Sequence, residues 1–189
     1  MFKFSDKFFS STFEKFSHDL LTYKVIVLGL YGVGKTTIIN RLMNKETDKE
    51  YAPTISVDVK NFQVKVNEKI IQLELWDICG NEEFAQNTPN LFRDTSLAII
   101  VYAINDRKSF FSVEKWNNIV NQYAFECIRY LIGNKTDLEE SRLVSKEEGE
   151  TLKDDYNFKL FLETSSKTGF NIKNLINNIA ISIYQIEKK

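Results

Sequence analysis

The sequence has few cysteines, little net charge and no long hydrophobic run, and each shortage excludes a class of protein. Only two of its 189 residues are cysteines, Cys79 and Cys127, and they lie far apart. This spacing forms neither a disulfide framework nor a zinc-binding pattern, and it suits a reducing compartment. A net charge of −1 gives no basic footprint for nucleic acid. The longest apolar run, residues 97–104, is far too short to span a membrane.

The first 22 residues form an N-terminal extension with an unusual composition. It holds six of the fifteen phenylalanines, and Phe9, Phe13 and Phe16 fall at helical spacing. One interpretation of the extension is a short amphipathic helix packed on the domain, or a loose arm. The other is an interfacial membrane helix or a partner-binding segment. Its acidic and basic side chains cancel, which weakens the membrane alternative. Phe2 excludes N-myristoylation.

The remaining residues, 23–189, are interpreted as one domain in which strand and helix patterns alternate. Hydrophobic residues make up 43% and charged residues 27%, which is ordinary for a globular domain. The patterns predict strands at 25–28, 57–66, 70–76, 97–104, 128–133 and 158–162, and helices at 108–124, 145–156 and 171–187. This order predicts an α/β fold: a doubly wound, mostly parallel six-stranded sheet with helices on both faces and one antiparallel hairpin.

A Gly-rich stretch between the first strand and a helix start organises the candidate site. Residues 29–36, GLYGVGKT, fit the phosphate-binding motif G-x-x-x-x-G-K-[ST], so the fold class is predicted to be a P-loop NTPase rather than a chance turn. Glycines let backbone N–H groups approach phosphate oxygens. Lys35 would reach the outer phosphates, and the Thr36 hydroxyl would ligate Mg²⁺. The nucleotide-binding residues expected here are Gly29, Tyr31, Gly32, Val33, Gly34, Lys35, Thr36 and Thr37.

A second motif, D-x-x-G, follows the buried strand at 70–76. Its Asp77 is a carboxylate at a strand end opposite the phosphate loop, which is the usual second anchor for Mg²⁺. Its Gly80 has no side chain and can bring a backbone N–H to a terminal phosphate. Alone, the motif fits any surface turn. Because Lys35 and Thr36 lie upstream, it predicts a metal site.

The residues expected to bind the base follow the next two strands. In residues 134–137, NKTD, Asp137 can accept from both the N1–H and the exocyclic amine of guanine, a pair of donors that adenine lacks. The Lys135 stem can lie over the base. Residues 164–167, TSSK, would hold the guanine from the other side. Alone, the first motif also fits a polar turn. The base-binding set is therefore Asn134, Lys135, Asp137, Ser165, Ser166 and Lys167.

These motifs, in this order, resemble those of the Ras superfamily of small GTPases over about residues 23–187. Within the superfamily, residues 76–84, WDICGNEEF, resemble the Rab family's W-D-x-x-G-Q-E-x-F. Residues 54–59, TISVDV, resemble its T-I-G-V-D-F, and two later segments are similar to Rab segments as well. By this resemblance the chain is identified as a divergent, Rab-like small GTPase.

The resemblance implies a GTP/GDP-dependent switch that uses Mg²⁺. Thr54 would join Thr36 and Asp77 as a metal ligand, and its backbone would sense the γ-phosphate. About residues 46–58 and 80–93 would be the two switch segments, which effector, exchange-factor and GTPase-activating proteins would contact. The expected catalytic residues are Lys35, Thr54 and Asn81, the last at the position of the family's water-orienting Gln. We expect a monomer.

Three residues depart from the family's pattern. Asn81 is one methylene shorter than Gln, which predicts slow intrinsic hydrolysis. Tyr31 stands where the family has Gly or a small polar residue, and its phenol either obstructs an arginine from an activating protein or swings out to solvent. Thr47 replaces an aromatic residue that packs against guanine, which predicts looser nucleotide binding.

The sequence ends without the prenylated cysteines that Rab proteins normally carry. Either such a tail is missing, or the protein is soluble, or it reaches membranes through its Phe-rich N-terminus or a partner. We expect a cytoplasmic location, with peripheral contact to endomembranes as an option.

The leading hypothesis is a Rab-like switch that hydrolyses GTP to GDP and phosphate in vesicle or membrane traffic. The alternative is a GTP-binding interaction module with little or no hydrolysis, because of Asn81 and Tyr31. A P-loop kinase or ATPase is a poor third, since it needs an acceptor site and adenine recognition, whereas the NKTD motif favours guanine.

Overall fold

The computed structural model describes residues 21–44, 54–67 and 69–187. Its strands are β1 (Thr22–Leu28), β2 (Val57–Val66), β3 (Lys69–Ile78), β4 (Thr95–Ala103), β5 (Ile128–Asn134) and β6 (Leu160–Glu163). Its α-helices are α1 (Lys35–Leu42), α2 (Glu82–Gln86), α3 (Arg107–Tyr123), α4 (Lys146–Asp155) and α5 (Ile172–Glu187). Short 3-10 helices lie at Pro89–Phe92 and Thr136–Ser141.

The strands form one sheet in the order β2-β3-β1-β4-β5-β6. The edge strand β2 pairs with β3 in antiparallel fashion, and the other neighbours are parallel. Strand β1 lies at the centre, where Val25 pairs with Leu75 on one side and Leu97 on the other. The carboxyl end of β1 therefore opens between the ends of its two neighbours, which is where ligands bind in such sheets.

Helices cover both faces of the sheet, and this explains the unbroken apolar run in β1. Val25 and Val27 belong to the core on the side of α1 and α5, whereas Ile26 and Leu28 belong to the core on the side of α3. All four side chains are 0% exposed. A strand buried on both faces needs apolar residues at every position rather than at alternate ones. The predicted doubly wound α/β fold is confirmed.

The predicted elements agree with the structure except near the last strand. The expected strand at 158–162 begins only at Leu160, because the preceding residues complete the end of α4. Asn157 takes a left-handed conformation with φ 54. Its N–H donates to Asp154 O, and the Phe158 N–H donates to Lys153 O at 2.9 Å. This pair of bonds is a Schellman motif, which satisfies the last carbonyls of the helix.

The N-terminal extension lies largely outside the described residues, which begin at Leu21. Thr22 already pairs with Gln72 in the sheet, and the division of the chain after residue 22 stays a prediction. Within the described ranges, none of the helices combines the length and the apolar character that crossing a membrane requires.

Candidate functional site

The phosphate-binding motif lies where the sequence predicts it, at the carboxyl edge of the sheet. Strand β1 ends at Leu28, the loop follows, and α1 begins at Lys35. Gly34 has φ 100, and a Cβ there would lie 2.4 Å from the Asn134 Nδ2 atom. A side chain at this position would be strained and would also clash with a neighbouring loop. The pocket at this edge is lined by Tyr31, Gly32, Gly34, Lys35, Thr36, Thr54 and Gly80.

Lys35 places a cation inside the loop. Its side chain is almost fully buried, at 7% exposure, and its Nζ donates to Gly29 O at 2.9 Å and to Leu30 O at 3.1 Å. Burial lowers the pKa of Lys35 to about 8, while the Asp77 carboxylate opposes this shift. The ammonium therefore stays mostly protonated at neutral pH, and it can exchange carbonyl partners for a phosphate without leaving the pocket.

The three predicted metal ligands meet in the structure, although they come from distant parts of the chain. The Thr36 hydroxyl donates to Asp77 Oδ2 at 2.5 Å. The Thr54 hydroxyl lies 3.1 Å from the Thr36 oxygen and 3.2 Å from the same carboxylate oxygen. Two hydroxyls and a carboxylate are the hard oxygen donors that Mg²⁺ prefers.

The second carboxylate oxygen of Asp77 also bears on whether these residues fit a cation. It is 0% exposed, and its Oδ1 atom has no hydrogen-bond partner among the described residues. Burial raises the pKa of Asp77, against the opposing hydrogen bond from Thr36 and the charge of Lys35. A buried acceptor without a partner is costly. A divalent ion beside Asp77 would satisfy this oxygen and favour the ionised carboxylate, so these residues fit Mg²⁺.

The second motif is pressed against the phosphate loop. A Cβ at Gly80 would lie 2.1 Å from the Tyr31 backbone N, which is closer than any side chain can approach. Gly80 is thus required for the contact between the two loops. Tyr31 itself is 59% exposed at the mouth of the pocket.

Asn81, the predicted water-orienting residue, is engaged elsewhere. Its Oδ1 accepts the Phe84 N–H at 3.0 Å and caps the N-terminus of α2. The cap satisfies a backbone donor that the first turn of a helix leaves unpaired. The amide oxygen of Asn81 therefore has a structural partner, and the sequence reasoning that considered only its catalytic position missed this role.

Asn134 joins the base-binding motifs to the phosphate loop. Its Nδ2 donates to Val33 O at 2.8 Å and to Ser166 Oγ at 3.2 Å. Its Oδ1 accepts from the Thr164 hydroxyl and from the Ser166 N–H, both at 3.1 Å. The side chain is 0% exposed. All four of its hydrogen-bonding positions thus hold three loops together, which spacing alone did not reveal.

Asp137 lies at the rim, where a base can reach it. Its Oδ1 accepts the Ser165 hydroxyl at 2.6 Å, and Ser165 Oγ in turn accepts the Thr168 N–H at 3.0 Å. Asp137 and Lys167 are exposed, and Lys135 is half-buried with φ 70. The carboxylate is therefore oriented by a buried serine while its outer edge faces solvent.

A further tie between the base-binding loops involves Arg142, which the sequence reasoning did not single out. Its guanidinium makes two hydrogen bonds with the Glu163 carboxylate, at 2.6 and 3.1 Å, and two with Glu139, both at 2.8 Å. Glu163 directly precedes the TSSK motif, and Glu139 follows the NKTD motif. The pair with Glu139 has a local i, i+3 spacing. Glu163 is 21 residues from Arg142, and no local period in the sequence links these two.

Three more residues singled out from the sequence are Val33, Thr37 and Thr47. Thr37 follows Thr36 in α1 and is half-buried, and Val33 is 1% exposed. Thr47 and most of the first switch segment lie outside the described residues, so the expected loosening of the base contact stays a prediction.

The strand, Gly-rich loop and helix at the carboxyl edge of a mostly parallel sheet define the P-loop NTPase class. A family model described as the Ras family matches residues 24–185. The chain therefore belongs to the Ras family, whose members in general are switches that bind GTP or GDP with Mg²⁺ and hydrolyse GTP. Regulators and effectors are general partners of the family.

Proposed function

We propose that this protein is a Rab-like guanine-nucleotide switch with slow intrinsic hydrolysis of GTP to GDP and phosphate. The observation that carries the proposal is the meeting of the Thr36 and Thr54 hydroxyls at Asp77 Oδ2. The other carboxylate oxygen of Asp77, Oδ1, has no hydrogen-bond partner among the described residues, and the buried Lys35 contributes a positive charge to it. This arrangement supports a triphosphate site with a divalent ion, which the family membership leads us to expect.

The residues of the site take distinct roles in this proposal. Thr36, Thr54 and Asp77 would hold Mg²⁺, which would supply positive charge to neutralise the outer phosphates. Lys35 releases its two loop carbonyls and binds phosphate oxygens. Backbone N–H groups of residues 29–36 and the N-terminus of α1 contribute further favourable potential for the anion.

Guanine is selected at the other end of the site. Asp137 accepts two hydrogen bonds from the base edge, and it is supported in that orientation by the Ser165 hydroxyl. Adenine presents no matching pair of donors, so its binding leaves the carboxylate without the two hydrogen bonds from the base. The stems of Lys135 and Lys167 cover the two faces of the ring.

Thr54 provides the switch. Its hydroxyl reaches the carboxylate of Asp77 and the hydroxyl of Thr36, so Thr54 would join the metal ligands when the triphosphate is bound. Loss of the γ-phosphate would remove part of what holds Thr54 at the site, so the surface presented to partner proteins would change.

Slow hydrolysis is supported by the position of the Asn81 side chain. Its amide oxygen caps α2 at 3.0 Å, and leaving that partner to orient a water costs the cap, about 1 kcal/mol. Tyr31, exposed at the pocket mouth, further limits access by an arginine from an activating protein. Stimulated hydrolysis that is unchanged in Tyr31→Gly would contradict the second point.

The Rab assignment and a role in vesicle or membrane traffic rest on the sequence resemblance of residues 54–59 and 76–84. We propose a cytoplasmic monomer that contacts endomembranes peripherally, with effector, exchange-factor and activating proteins as partners. No nucleic-acid partner is proposed, given the net charge of −1.

One alternative has a specific observation in its favour. Because the Asn81 amide oxygen is used as a helix cap, the chain could bind GTP as an interaction module and turn it over negligibly. The experiment is to identify the nucleotide in the purified protein and to follow phosphate release from GTP and ATP with Mg²⁺. Bound GDP and slow GTP turnover support the switch. Bound GTP without release supports the module, and equal binding of ATP contradicts both.

A further inference from the structure

Arg41 is a half-buried residue of α1 that none of the motifs includes. Helix α1 carries Lys35 and Thr36 in its first turn and Arg41 in its last. The Arg41 Nε donates to Ser166 O at 3.0 Å, and its Nη2 donates to Lys167 O at 2.6 Å. The two acceptors are consecutive carbonyls of the TSSK loop, more than a hundred residues further along the chain.

The geometry suits arginine specifically. A guanidinium presents several N–H donors in a rigid plane, so it can bond two neighbouring carbonyls at once, whereas an ammonium is a compact point charge. Hydrogen bonds from an ionised donor are stronger than neutral ones. The positive charge of Arg41 in the last turn of α1 also interacts favourably with the partial negative charge at the C-terminus of the helix.

The loop that Arg41 holds is the loop that orients Asp137. Ser165, whose hydroxyl donates to Asp137 Oδ1 at 2.6 Å, directly precedes the two carbonyls bonded by Arg41. On the other side of these carbonyls, the Thr168 N–H returns to Ser165 Oγ at 3.0 Å. Movement of residues 166 and 167 would therefore shift the serine hydroxyl and, with it, the carboxylate.

We propose that Arg41 is a positioning residue that fixes the TSSK loop so that Asp137 meets both donors of the guanine edge. Arg41 itself touches no nucleotide. It links the helix that binds phosphate and Mg²⁺ to the loop that reads the base, so both ends of the site depend on the same short helix. The inference rests on the proposed binding of guanine nucleotide.

The test compares dissociation of GDP and IDP from the full-length protein in Mg²⁺. Hypoxanthine keeps N1–H but lacks the exocyclic amine, so it offers Asp137 one hydrogen bond where guanine offers two. If Asp137 is well oriented, GDP leaves more slowly than IDP. Removal of Arg41 should weaken the second hydrogen bond more than the first.

The expected result for Arg41→Ala is GDP dissociation roughly tenfold faster and IDP dissociation only about threefold faster. The ratio of the two rates thus moves toward one. Lys146→Ala removes a cationic side chain of α4 that is 61% exposed and lies outside the motifs and switch segments. It serves as the matched control, with both rates unchanged. Melting temperatures in excess GDP check that each variant is folded.

Arg41→Lys keeps the charge but not the planar pair of donors, and it serves if the alanine variant does not fold. We expect a ratio between those of the wild type and Arg41→Ala. An unchanged ratio of the two rates in either variant overturns the inference. This holds if both rates stay as in the wild type, and also if both rise equally, which would indicate a general loosening only. A wild-type protein that releases GDP and IDP at the same rate, or binds neither, instead contradicts the proposed function, and the inference with it.

Discussion

The phosphate end and the base end of the site are built in different ways. At the phosphate end, most of the pocket lining belongs to the contiguous residues 29–36, and Thr54 and Gly80 complete it. Asp77 and Lys35 are buried beside it. At the base end, the exposed Asp137 depends on side chains that reach across the fold, above all Asn134. The first end is therefore set by local backbone geometry, and the second by long-range hydrogen bonds.

The largest effect is expected at the phosphate end, from Asp77→Asn. The substitution removes the buried charge that faces the metal position while keeping an oxygen that can accept from Thr36. We expect nucleotide affinity in Mg²⁺ to fall on the order of 100-fold. The measurement is the GDP dissociation constant with Mg²⁺ and with a chelator.

Two results sharpen this test. Affinity in the chelator should change much less, since the metal contact is then absent. Asp94→Asn, at a carboxylate that is 87% exposed, should leave both constants unchanged. If Asp77→Asn retained the full Mg²⁺ dependence, the metal site would have to lie elsewhere.

The phosphate end could be predicted from the sequence because its residues are neighbours in the chain or follow buried strands. Parallel strands bring their carboxyl ends to one edge, so Thr36 and Asp77 were expected to meet. The four bonds of Asn134 could not be predicted, since its carbonyl partner in the phosphate loop is 101 residues away and no period links the two. The contacts of Arg41 with the TSSK loop and of Arg142 with Glu163 were missed for the same reason.

The capping role of Asn81 was not predicted, for a different reason. An Asn followed by Glu82, Glu83 and an apolar residue is a recognisable helix start, so the cap was readable in the sequence. The resemblance directed attention to catalysis instead. The same residue is now expected to influence both the helix and the reaction rate.

A smaller effect is expected from Asn134→Ala, which removes the hydrogen bonds between the phosphate end and the base end of the site. The change leaves buried partners such as Val33 O and the Ser166 N–H without their hydrogen bonds. We expect the free energy of unfolding to fall by about 2 kcal/mol. The measurement is urea unfolding in the same excess of GDP and Mg²⁺ for every variant. Asn118→Ala, on the exposed side of α3, should stay within about 0.5 kcal/mol of the wild type. If both variants lost the same free energy of unfolding, the hydrogen bonds of Asn134 would contribute no particular stability.

The smallest effect concerns hydrolysis at the phosphate end. Asn81→Gln restores the longer amide but caps α2 poorly, whereas Asn81→Ser keeps a capping oxygen and has no amide. We expect single-turnover GTP hydrolysis to be roughly threefold to tenfold faster in the Gln variant, and no faster in the Ser variant. A Gln variant that is no faster would refute the account of slow hydrolysis. A Ser variant that is faster would also contradict it, because Ser keeps the cap and has no amide to orient a water.

The central claim is that this site holds a guanine nucleotide through Mg²⁺ at one end and Asp137 at the other. The most direct measurement is displacement of a fluorescent GDP from the purified protein by unlabelled GDP or ADP, with and without Mg²⁺. The account predicts displacement by GDP alone, and much faster release once the metal is chelated. Displacement by ADP at similar concentrations, or release that ignores Mg²⁺, would contradict it.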